Sequence, residues 1–117
     1  MPTSIRVVRE PITLDDLRAV ARDQFGDMVK AVVDVAQGLM AIGGELHADE
    51  EMVLLDLDSR QEDLWGVNLY PDAAPLERVE FDSMINVRPA MGNRSRSVED
   101  PSLQARIRDV VDRLVHQ

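Results

Sequence analysis

The sequence predicts an α+β fold of two layers, an antiparallel sheet of about four strands with helices packed on one face. Three observations predict it. Two stretches repeat apolar residues at three- and four-residue spacing behind a capping residue. Others are rich in β-branched residues or alternate strictly, and turn residues separate all of them in the order αββαββα. The 117 residues, 44% of them hydrophobic, suffice for one core and not for two, so residues 1–117 read as a single small domain.

The first helix starts at Thr13, a good N-cap, with Asp15 and Asp16 in the first turn where the helix dipole favours anions. Ile12 before the cap can pack on Leu17 as a hydrophobic staple, Leu14, Leu17, Val20 and Ala21 form one stripe, and Gly26 can end the helix. Residues 28–44 read as a β-hairpin, with Val29, Val32, Val33 and Val35 on one arm and Leu39, Met40 and Ile42 on the other. Gln37-Gly38 is the expected two-residue turn, and Gly43-Gly44 closes the unit. Residues 48–57 read as a short helix capped by Asp49, with Glu50 and Glu51 in its first turn and Met52 and Leu55 in its stripe.

Residues 64–70 alternate, with Trp65, Val67 and Leu69 on one face and Gly66, Asn68 and Tyr70 on the other. Residues 78–88 alternate over a longer run, which predicts a strand with Val79, Phe81, Ser83, Ile85 and Val87 inward and Glu80, Asp82, Met84, Asn86 and Arg88 outward. Such alternation marks a sheet covered on one side only. After a polar loop, Asp100 caps the last helix, Pro101 takes its first position, and Leu103, Ile107, Val110, Val111 and Leu114 line its inner face.

Composition excludes several function classes. With no cysteine, disulfide frameworks, cysteine zinc sites, iron–sulfur clusters and thiol nucleophiles are ruled out. No apolar run approaches the roughly 20 residues of a membrane span, and no apolar h-region follows the first arginine, so no membrane association and a cytoplasmic location are expected. The formal charge of −9 is unevenly placed: residues 45–63 hold eight acids against Arg60, whereas residues 88–96 hold Arg88, Arg94 and Arg96 and no acid. Such a balance repels duplex nucleic acid but leaves room for a small anionic ligand at the arginines. Twelve of the 13 basic residues are arginine, which favours fork-shaped recognition if any of them binds.

Three constellations carry candidate chemistry. In the first, Glu45 and His47 project to one side of an extended segment and Asp49 follows, a donor set for a divalent metal or a proton-transfer pair. The plain alternative is that Asp49 and its neighbours are helix-start acids and His47 bonds locally. In the second, Glu80 and Asp82, the further catalytic candidates, share the outer strand face with Asn86 and Arg88 beside Asn68 and Tyr70. A solvated sheet face is the alternative. The third is the loop of residues 88–97, where Arg88, Asn93, Arg94 and Arg96 surround Gly92 and form a candidate anion-binding loop. Equally open is an internal role in which Arg94 and Arg96 neutralise the acids of residues 45–63. Nucleotide, zincin and hydrolase motifs are all missing.

Residues 28–34 (MVKAVVD), 42–51 (IGGELHADEE), 61–71 (QEDLWGVNLYP) and 80–99 (EFDSMINVRPAMGNRSRSVE) together resemble a small prokaryotic family catalogued as a domain of unknown function. The resemblance runs from Thr13 to the last helix. It implies one short stand-alone domain and brings no activity, ligand or catalytic residue with it. Where that family has a glycine-serine pair ending the middle helix, this chain has Asp58-Ser59, so its helix stop is expected to differ.

Two functions remain from the sequence. One is a non-enzymatic binding or regulatory protein that self-associates as a homodimer or meets a protein partner. The other is a small enzyme on a phosphorylated or carboxylated substrate, using Glu45, His47 and Asp49 with the arginine loop. The second requires His47 and Arg94 to share one pocket.

Overall fold

The computed structural model describes residues 5–116. In chain order it contains β1 (Arg6–Val8), β2 (Ile12–Thr13), α1 (Leu14–Asp23), β3 (Val29–Asp34), β4 (Leu39–Ile42), α2 (His47–Asp56), β5 (Leu64–Leu69), β6 (Val79–Glu80), α3 (Pro101–Leu114) and β7 (Val115–His116). Five strands form one antiparallel sheet in the order β1-β4-β3-β5-β6. A two-residue parallel ladder, β2 with β7, ties the start of α1 to the end of α3.

The α+β class and the antiparallel sheet are those expected, but the helices lie on both faces. Val29, Ala31 and Val33 of β3 pack with Trp65, Val67 and Leu69 of β5 beneath α1 and α3. On the other face Val32, Ala41 and Leu64 pack with Leu54 of α2 and with Ile85. The reason is written in β3: Ala31, Val32 and Val33 are consecutive apolar residues, all fully buried, and a strand without alternation needs cover on two sides.

Local chemistry fixes each boundary. Thr13 caps α1 reciprocally: its Oγ1 accepts the Asp16 N–H at 3.0 Å and Asp16 Oδ2 accepts the Thr13 N–H at 3.1 Å. The β3–β4 turn spans residues 35–38 rather than the expected Gln37-Gly38 pair. Buried Asp34 draws it in, because Oδ1 accepts the Ala36 and Gln37 N–H groups, each at 2.9 Å, and Oδ2 accepts the Ser59 hydroxyl at 2.7 Å. Helix α2 begins at His47, so Asp49 lies in its first turn and does not cap it. At its end Asp58 adopts φ 75°, a left-handed conformation that glycine takes without strain.

The long strand expected over residues 78–88 is limited to Val79 and Glu80, which pair with Leu69 and Asn68. Beyond Asp82 the chain folds into short 3-10 turns, Met84–Asn86 and Pro89–Met91. Gly66 causes the departure. A Cβ there would stand 2.6 Å from Ser83, so the bare glycine admits Ser83 against β5. The Asn86 carboxamide then takes the bonds a strand would have made, accepting the Gly66 N–H at 2.8 Å and donating to the Gly66 carbonyl at 2.9 Å.

Candidate functional site

The register across β3, β5 and β6 sets Lys30 opposite Asn68 and Asn68 opposite Glu80. Asn68 Nδ2 donates to Glu80 Oε1 at 2.8 Å, and the Tyr70 hydroxyl donates to the same oxygen at 3.2 Å. Burial, then the Glu80 charge, holds the Tyr70 phenol above its ordinary value. Beside them Arg96 Nε donates to Asp82 Oδ1 at 2.7 Å. Asn68, Tyr70, Glu80, Asp82 and Arg96 are therefore gathered at one end of the sheet.

The first turn of α2 adds two buried groups to this end. His47 Nε2 lies 2.8 Å from the Val67 carbonyl; because that oxygen only accepts, Nε2 carries the proton and Nδ1 holds the lone pair of the neutral ring. Burial holds its pKa below the ordinary histidine value, and the charges that reach it are those of Lys30, Asp82 and Arg96. One turn on, fully buried Glu50 accepts the Gly44 N–H at 2.9 Å through Oε2. Burial pushes this carboxyl up to about 9, so at neutral pH it is an uncharged acid. Gly44 is required for the approach, since a Cβ there would lie 2.8 Å from Glu50 Cγ.

The expected metal donors are not brought together: Glu45 and Asp49 are exposed while His47 is buried against β5. Among the described residues no group of three or more His, Asp or Glu side chains is arranged to hold a metal ion. The second expected constellation divides for the reason given by Gly66, since Asn86 is buried on the β5 backbone and Arg88 reaches α2.

The residue 88–97 loop is organised from within. Asn93, buried, donates to the carbonyls of Asn86 and Ser97, both at 2.7 Å, and accepts the Glu99 N–H at 2.8 Å. The arginine that pairs with the acidic segment is Arg88, whose Nη2 lies 3.1 Å from Glu51 Oε2 and whose guanidinium stands 4.8 Å from the Trp65 ring centre. Burial draws the Arg88 pKa down, against the pull of Glu51. Arg96 pairs with Asp82, and Arg94 is exposed. The loop arginine whose charge reaches His47 is Arg96, not Arg94.

Around the Glu51–Arg88 pair lies a surface that sequence reasoning missed. Met52 and Leu55 of α2 and Met84, Val87 and Met91 of the following segment are all exposed, Met52 at 64% and Met84 at 65%. Leu55 lies one helical turn beyond Glu51 on α2, and Arg88 follows Val87, so the ion pair brings the exposed side of α2 next to the segment that carries Val87. The signal in the sequence was the count of methionines in a polar segment; assignment of Met84 and Val87 to opposite faces of a strand concealed it.

Fold and site together define a small α+β protein with an antiparallel sheet covered on both faces, a polar cluster at one sheet end and exposed apolar side chains on α2 and residues 84–91. The chain belongs to a family of proteins of unknown function, DUF5674, whose profile matches residues 6–114. No curated protein and no solved structure matches it. Among the described residues no helix is long and apolar enough to cross a membrane.

Proposed function

We propose that this protein is a single-domain, non-enzymatic binding module that works in the cytoplasm and self-associates through the patch formed by α2 and residues 84–91. The exposed methionines on both sides of the Glu51–Arg88 pair carry this reading. Exposed apolar clusters of this kind are characteristic of interaction sites, and methionine side chains adapt to the surface they meet.

The favoured occupant is a second copy. The acidic segment presents Glu45, Asp49 and Asp56 to the surface, and of the arginines at 88–96 Arg94 is exposed and forms no ion pair among the described residues. A two-fold axis through the apolar seam lays the acidic helix of each copy over Arg94 of the other, so one patch complements itself. Sedimentation equilibrium from micromolar to millimolar protein tests the reading. Dimer formation with concentration, weakened by Val87→Asp and by Arg94→Glu, is expected; a monomer throughout would overturn it.

A further inference from the structure

The first turns of α1 and residues 71–78 enclose a cleft of about 460 Å³, within the range of small-molecule sites, roughly 300–1,000 Å³. Neither α2 nor residues 84–91 line it. Its walls are braced by Arg18, which donates through Nε to Asp72 Oδ1 and through Nη1 to Asp15 Oδ1, each at 2.7 Å. Both aspartates of the lining thereby have a cation in contact.

Arg78, also in the lining, is unsatisfied. Its backbone is fixed by the bond from the Tyr70 N–H to its carbonyl at 2.8 Å. Its guanidinium makes one long contact, Nη2 to the Ala73 carbonyl at 3.4 Å. Nε is removed from solvent with no partner, and the side chain forms no ion pair among the described residues. A guanidinium presents five donors in a planar fork, and leaving such donors desolvated and unpaired is unfavourable.

We propose that the cleft binds a small carboxylate-bearing molecule, with the carboxylate on the Nη1–Nη2 edge of the Arg78 guanidinium and an apolar portion against Leu14 and Pro71. A planar carboxylate matches the fork with two parallel hydrogen bonds. Charge selects it over phosphate. The chain carries −9 and Asp15 and Asp72 stand in the lining, so a monoanion meets less repulsion than a phosphate dianion. A second recess of about 110 Å³ shares Arg18, Pro71 and Asp72 in its lining and extends to Arg22.

The test is a titration of isotope-labelled protein with propionate, in parallel with inorganic phosphate, following the Arg78 Nε–H resonance and the Leu14 and Asp72 amides. Saturable shifts with propionate are expected. Arg78→Gln should weaken them roughly tenfold or more, Arg78→Lys should give an intermediate affinity because it keeps the charge and loses the fork, and both should leave the core methyl spectrum in place. Linear shifts, shifts retained in Arg78→Gln, or a saturable response to phosphate alone would overturn the proposal. If Arg78→Gln disturbs the methyl spectrum, Arg78→Lys decides: propionate affinity equal to that of the parent chain contradicts the fork.

Discussion

The Asn86 carboxamide pairs with both backbone groups of Gly66, at 2.8 Å from its N–H and 2.9 Å from its carbonyl. One side chain thus closes the part of the β5 edge that β6 leaves open. It also donates to the Arg96 carbonyl at 3.0 Å, so the arginine segment hangs from the same group. Asn86→Ala should destabilise the fold by about 3 kcal/mol, since it leaves buried backbone groups unpaired. Urea unfolding measures this, and a loss below about 1 kcal/mol would mean that water replaces the amide.

Gly66→Ala should be poorly tolerated, because the new Cβ meets both Ser83 Cβ and Oγ at 2.6 Å. Ser83→Ala leaves the Cβ contact in place and should not relieve it. Ser83→Gly should recover part of the lost melting temperature in the double variant. Equal melting temperatures for Gly66→Ala with and without Ser83→Gly would contradict the close approach.

Asp58 offers a gain. Its φ of 75° is strained for a side-chain-bearing residue, and Asp58→Gly should stabilise the protein by roughly 1 kcal/mol. Chemical denaturation reads the difference directly, and a destabilised variant would contradict the strained conformation.

Glu50 and His47 give stability opposite slopes with pH. The Glu50 carboxyl is raised from 4.5 to about 9, so the unfolded chain releases that proton near pH 4.5 while the folded chain keeps it. Stability attached to Glu50 is full below about pH 4.5 and is lost as pH rises towards about 9. At pH 7 the loss is on the order of 3 kcal/mol. Glu50→Gln keeps an acceptor for Gly44 and should melt higher than the parent chain at pH 8 and no higher at pH 4.5. His47, whose folded pKa is lowered from 6.5, acts the other way: its contribution is present above pH 6.5 and is lost as pH falls through the lowered value. Parallel curves of melting temperature against pH for parent and Glu50→Gln would contradict the buried neutral acid.

Much of this architecture was legible in the sequence, where local chemistry decides. Thr13 and Asp100 cap where their side chains reach an N–H, and the alternation of residues 64–70 reports the two faces of β5 correctly. The Asp58 difference from the resembled family points to the one left-handed non-glycine residue described. The two-sided cover of the sheet was also present, in Ala31-Val32-Val33, but the alternation of residues 78–88 argued against it. That alternation is met by short turns held on Gly66, a tertiary contact that periodicity does not encode. The same blindness hid the site: Glu50 reads as a helix-start acid until Gly44 brings it inside, and the Glu51–Arg88 pair that ties α2 to the segment after β6 joins residues 37 positions apart.

Self-association through that surface is tested most directly by an isotope-filtered NOE spectrum on a millimolar mixture of methionine-methyl-labelled and unlabelled chains. The expected result is a set of intermolecular contacts from the Met52 methyl to Val87 and Met91 of the second copy, abolished in Val87→Asp. A filtered spectrum empty at that concentration, or one whose contacts fall on residues outside α2 and residues 84–96, would contradict it.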